Sequence, residues 1–227
     1  MRIPEHRGGA LGEDDFRVAL RRQVRAFEVH VGVHQAGGQV ATGQGTHFMG
    51  VFATAARVDA GDHLADDTDV SGANFARGRT QPIEFLVIHY TANNGDTVQN
   101  NLDYFAGNAV GTSAHYFVDE NGYGRSVKDS DTAYHCGAVE YKHPECRNAN
   151  SIGMELCSRK DSRGNYYFLD QTVYNAAALA RQLMQTYGID RAHVLRHYDV
   201  TGKRCPAPMV DNPTLWENFL NLLEDKT

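Results

Sequence analysis

The stretch RHYDVTGKRCPAP, residues 196–208, gathers His197, Lys203 and Cys205 in a segment broken by Gly202 and two prolines. Imidazole and thiolate are donors that suit zinc, and a catalytic zinc takes three protein ligands while keeping one position for water or substrate. His197 and Cys205 lie too far apart for one helical face. Their spacing suits a loop that folds back on itself, with Gly202 for the turn and Pro206 for a stiff exit. The best-placed third ligand is His89, at the C-terminal end of the apolar run IEFLVIHY, the edge where open α/β sheets place their sites. Lys203 adds a cation of the kind that stabilises an oxyanion during amide hydrolysis. Each residue also has an ordinary reading: a hydrogen-bonded strand-end histidine, a small buried thiol before proline, a solvated loop lysine.

Glu155, inside the apolar run SIGMELC, is a second anomaly. A carboxylate in such a strand costs several kcal/mol unless it is paired or functional. Period-two alternation puts Gly153, Glu155 and Cys157 on one face and Ile152, Met154 and Leu156 on the other. A glycine beside the acid leaves room for substrate or water. Burial raises a carboxyl pKa towards neutrality, which suits a general base or acid. A salt bridge from Glu155 to an arginine such as Arg196 is the competing structural explanation.

The elements that must position these groups come from the second part of the chain. IEFLVIHY (83–90) and SIGMELCS (151–158) read as buried strands, and SAHYFVDENGYGRSV as a hairpin around an ENG turn. DTVQNNLDYFAG predicts a short helix with Asp96 as N-cap. DQTVYNAAALARQLMQTYG predicts a long one, capped by Asp170 and stopped by Gly188, with Val173, Ala176, Ala180, Leu183 and Tyr187 on one stripe. HVLRHYD is a short extended segment. NPTLWENFLNLLED closes the domain with Asn212 as N-cap, Pro213 in the first turn and Trp216, Phe219, Leu220 and Leu223 facing inward. Strands alternating with helices define an α/β domain, a sheet with helices packed on its faces.

The first part is written differently. All 11 tyrosines, all four cysteines and the one tryptophan lie after residue 80, and glycine is concentrated before it. The segment DDFRVALRRQVRAFEVHVGVH (14–34) follows helical spacing only loosely, and His30, His34, His47 and His63 are too scattered for a ligand cluster. Residues 1–72 are therefore expected to form a poorly structured extension and 73–227 the folded domain. With 227 residues, 41% of them hydrophobic, and a formal net charge of −6, the chain shows no basic footprint for a nucleic-acid partner. It has no apolar run of transmembrane length. MRIPEHRGGALGEDDF has no apolar core of a secretory signal, so synthesis in the cytosol without a signal peptide is expected.

Five segments, IEFLVIHYTAN, GTSAHYFVDENG, DTAYHCGA, RNANSIGMELCS and RHYDVTGKRCPAP, occur in the order and at about the spacing of the zinc-dependent N-acetylmuramoyl-L-alanine amidases of type 2. That family includes phage endolysins, bacterial wall-recycling amidases and animal peptidoglycan recognition proteins, and the resemblance covers roughly residues 73–225. It implies a single domain with a central mixed β-sheet flanked by helices and a groove for the glycan-peptide strand. His89, His197 and Cys205 match the zinc ligands, Glu155 the catalytic glutamate and Lys203 the lysine before the last ligand. His135 matches a histidine near the substrate, and Asn150 and Ser151 are assigned with it to substrate binding. His115 is expected to be structural or to support the ligands.

The chain departs from the pattern at Ala114, where some relatives carry a tyrosine, and at Tyr134, where tryptophan is usual. Cys136 and Cys146 fall on expected loops and would pair only in an oxidising exterior. The resemblance implies a monomer that acts on peptidoglycan in the cell wall, released or holin-assisted if it is a prophage lysin. It implies hydrolysis of the amide between the lactyl group of N-acetylmuramic acid and L-alanine. A peptidoglycan-binding module without catalysis and a different zinc peptidase on the same scaffold are alternative readings of the same residues.

Overall fold

The computed structural model describes residues 71–224. Apart from its last two positions, the expected 1–72 extension, with its candidate helix and scattered histidines, lies outside the described residues. The elements in chain order are β1 (Phe75–Ala76), β2 (Phe85–Tyr90), α1 (Val98–Gly107), β3 (Tyr116–Asp119), β4 (Gly122–Arg125) and β5 (Thr132–Ala133). They continue with β6 (Ser151–Leu156), β7 (Arg159–Lys160), β8 (Tyr166–Tyr167), α2 (Asp170–Tyr187) and β9 (Val194–Arg196). Three helices close the chain: α3 (His197–Thr201), α4 (Ala207–Asp211) and α5 (Pro213–Asn221).

The main sheet has the order β4-β3-β6-β2-β9. Its β3–β6, β6–β2 and β2–β9 pairs are parallel, and β4 closes one edge as the antiparallel arm of a hairpin. This is the expected mixed sheet. All six residues of β2 are buried, as a strand covered on both faces requires, which is why it reads as an unbroken apolar run. Asp119 organises the hairpin: its Oδ1 accepts from the Asn121 and Gly122 N–H groups, and its Oδ2 from Val98 N–H at the start of α1.

Parallel register gives the sheet two contrasting faces. Leu86, Ile88 and Tyr90 of β2 and Ile152, Met154 and Leu156 of β6 pack with Ala176, Ala180 and Leu183 of α2, Met209 of α4 and Phe219 of α5. Each fully buried aliphatic side chain there is worth about 1.5–3 kcal/mol against exposure. The opposite face carries Phe85, Val87 and His89 beside Ser151, Gly153 and Glu155. It is covered by α1, whose Phe105 stacks on Phe117, and by a small cluster of Cys136, Cys146 and Val200.

Two helix starts differ from expectation by one residue. Thr97, not Asp96, caps α1 in a reciprocal box with Asn100. Asp96 instead turns inward and accepts from Thr91, Asn93 and Asn101 side chains. Leu169 holds the N-cap position of α2, and Asp170 is its first helical residue, an acid at the positive end of the helix dipole. Gly188 ends that helix at φ 70°, and Asn212 caps α5 through Leu215 N–H, both as expected. No helix among the described residues is long and apolar enough to cross a membrane.

Candidate functional site

The site forms at the C-terminal edge of three adjacent parallel strands. His89 is the fifth residue of β2 and pairs in register with Glu155 of β6. On the other side Ile88 pairs with Arg196, the last residue of β9, so His197 emerges next to His89. Their ring centroids are 4.5 Å apart. From His197 the chain makes one short helix and stops it at Gly202, φ 82°. It then turns back, and Tyr198 N–H donates to the Cys205 carbonyl at 2.8 Å. That return places Cys205 Sγ 3.8 Å from His89 Nδ1. The expected fold-back loop is thus a helical turn closed by a main-chain hydrogen bond.

His89, His197 and Cys205 are buried, and one ligand atom from each lies within 4.8 Å of the others. Donors held about 2.0–2.3 Å from one tetrahedral ion would stand about 3.5 Å apart, so the three need only a small contraction around a metal. His197 Nδ1 is buried with no hydrogen-bond partner among the described residues. A buried imidazole nitrogen without a partner, in a cluster with a thiol and a second imidazole, suits a zinc site.

The charges agree with that use. Burial holds His89 well below the ordinary histidine pKa, helped by His197, His135, Lys203 and His115. Burial, then Lys203 and His135, push His197 down to about 3. Both rings are neutral at physiological pH and keep the lone pairs a metal needs.

Glu155 is 17% exposed, with Oε1 3.9 Å from His89 Nδ1 and Oε2 without a hydrogen-bond partner. Burial raises its pKa to about 8, against the opposing pull of Lys203 and with a smaller push from Asp96. The alternative partner, Arg196, is committed elsewhere: its guanidinium donates to both Asp199 oxygens and to the Met209 carbonyl. Lys203 is exposed beside the cluster, and its charge acts on Glu155, His197 and His89.

Three residues assigned to substrate turn inward. His135 is buried, with Nδ1 3.1 Å from His89 Nε2 and Nε2 3.1 Å from Ser151 Oγ. It fills the space expected to be open above Gly153, where a Cβ would stand 2.5 Å from His135 Cγ. Ser151 is fully buried and donates to the Arg147 carbonyl at 2.6 Å. Asn150 donates to Glu84 and the Glu145 carbonyl and accepts from Arg147 N–H.

Other supports carry weaker signals in the sequence. Asn148 Oδ1 accepts from the His135 and Cys136 N–H groups, and Arg79 donates to the Asn148 and Ala149 carbonyls and contacts His115. His115 Nδ1 accepts from Gly153 N–H at 2.9 Å, the supporting place expected for it. Nothing distinguishes Arg79 or Asn148 in the sequence, because their roles depend on carbonyls brought close by folding. Cys136 and Cys146 are free, buried and in contact with each other.

A family model described as N-acetylmuramoyl-L-alanine amidase matches residues 79–208. The N-acetylmuramoyl-L-alanine amidase CwlL of Bacillus licheniformis is 35% identical over 159 residues, which is 64% of this chain and 43% of CwlL. BlyA of Bacillus subtilis strain 168, an N-acetylmuramoyl-L-alanine amidase, is 32% identical over 161 residues, 65% of this chain and 43% of BlyA. The chain thus matches less than half the length of these relatives. A solved mutant endolysin from Bacillus subtilis shares the fold, with a TM-score of 0.59 at 23% identity over 75% of this chain and 99% of that one.

Proposed function

This chain belongs to the N-acetylmuramoyl-L-alanine amidase family, and from that premise we propose that it hydrolyses the amide between the lactyl group of N-acetylmuramic acid and L-alanine in peptidoglycan. One observation carries the reading: two buried imidazoles and a thiol converge beside a buried carboxyl group with an unpaired oxygen. The catalytic unit is the domain from residue 73 onward, and its place of action is the cell wall.

His89, His197 and Cys205 would hold a zinc ion. When bound, the ion would supply a Lewis acid that polarises the scissile carbonyl and makes water a nucleophile near neutral pH. Glu155 does the proton work. Its raised pKa lies close to neutrality, where a group takes and returns protons with small cost. In its ionised form Glu155 accepts a proton from the attacking water on the unpaired Oε2, and it then delivers that proton to the departing amine of L-alanine. Lys203, exposed at the rim, sets its ammonium against the oxyanion of the tetrahedral intermediate. Asn150 and Ser151 have no part in this scheme, because their polar atoms are engaged inside the protein.

Digestion of purified wall tests the reaction. The expected products are new L-alanine amino termini without new reducing sugars. New reducing ends would mark glycan cleavage, and no cleavage by zinc-loaded protein would favour a binding module.

A further inference from the structure

We propose that Ser151 and His135 form a one-way hydrogen-bond relay that fixes the proton of His89 on Nε2 and leaves its Nδ1 lone pair facing Cys205. Both are positioning residues, and their purpose rests on the metal reading above.

The direction follows link by link. Ser151 has one hydroxyl proton, and its Oγ lies 2.6 Å from the Arg147 carbonyl, a group that only accepts. The proton points there, so towards His135 Nε2, at 3.1 Å, Ser151 can only accept. His135 Nε2 therefore carries hydrogen, and a neutral imidazole protonated at Nε2 is bare at Nδ1. That bare nitrogen lies 3.1 Å from His89 Nε2, which must then be the donor. His89 Nδ1 is left with its lone pair, 3.8 Å from Cys205 Sγ. With His135 neutral, reversing the chain would turn the Ser151 proton away and leave two acceptor oxygens 2.6 Å apart.

The relay is also held in place. Asn148 Oδ1 accepts from the His135 backbone N–H, and the bare Cα of Gly153 leaves room for this imidazole, where a Cβ would stand 2.5 Å from its Cγ. Metal-binding histidines commonly donate their second N–H to a carboxylate, a carbonyl or water. Here the same function passes through a second imidazole and a hydroxyl before it reaches a carbonyl.

Long-range 1H–15N NMR of the full chain with 15N-labelled histidine reads the tautomers directly, with and without zinc. His89 and His135 should both carry hydrogen on Nε2. A proton on Nδ1 of either ring in the metal-free protein overturns the relay. In competition with a chromogenic chelator, folded Ser151→Ala and His135→Phe should bind zinc about 10- to 100-fold more weakly. His135→Gln, whose amide has both a donor and an acceptor, should recover most of the loss. Wild-type zinc affinity in Ser151→Ala and His135→Phe would overturn the proposal. Wild-type protein with both Nε2–H tautomers but no zinc binding would sink the metal reading while supporting the relay.

Discussion

The two faces of β2 and β6 are made by alternate residues of the same strands, yet they obey different rules. On one face Leu86, Ile88, Ile152 and Met154 are fully buried in the main apolar cluster, packed with helices. On the other, His89, Ser151, Gly153 and Glu155 occupy equivalent register positions and carry unpaired or relayed polar groups. The first face gains stability from area removed from water. The second gives some of it up, since a carboxyl oxygen and an imidazole nitrogen are buried without partners. Cys205 joins the two, because it belongs to the apolar cluster while its sulfur faces His89.

That contrast can be broken from either side. The largest effect belongs to Glu155→Gln, which keeps shape and removes the proton carrier. The rate of amide hydrolysis should fall about 100- to 10,000-fold, while the melting temperature stays or rises because a buried carboxyl is gone. Full activity would remove Glu155 from the mechanism. Lys203→Ala should lower the rate about 100- to 1,000-fold without changing thermal stability, since the side chain is exposed.

On the apolar face the outcomes exchange places. Met154→Ala should cost about 2–5 kcal/mol in denaturant unfolding, with the rate per folded molecule unchanged. A large loss of rate would mean that the faces are coupled. Gly153→Ala sharpens the division, because its new methyl group would displace His135 rather than leave a cavity. It should cost about 1–3 kcal/mol and weaken zinc binding as well.

How much of this was legible depends on what kind of signal each residue gives. The strands β2 and β6, the hairpin and α2 follow from runs and periods, which local physics sets. Helix starts shifted by one residue, because Thr97 and Asp96 are both good caps and only the buried partners of Asp96 decide between them. Alternation correctly placed Gly153 and Glu155 on one face. It could not say that His135, from a distant loop, fills the space over Gly153, or that Arg196 prefers its near neighbour Asp199. His135, Asn150 and Ser151 are assigned to substrate by the family resemblance, which does not show what each side chain touches. Their burial comes from acceptors that folding supplies.

In the proposed function, His89, His197 and Cys205 form a metal site that the amide hydrolysis requires. Metal content measured together with release of L-alanine amino termini, on wild type and Cys205→Ser, tests it most directly. The expected result is one zinc per wild-type chain, loss of activity on chelation with recovery on adding zinc, and a folded Cys205→Ser with little metal and little activity. Zinc-free wild-type protein that retains full activity would contradict it.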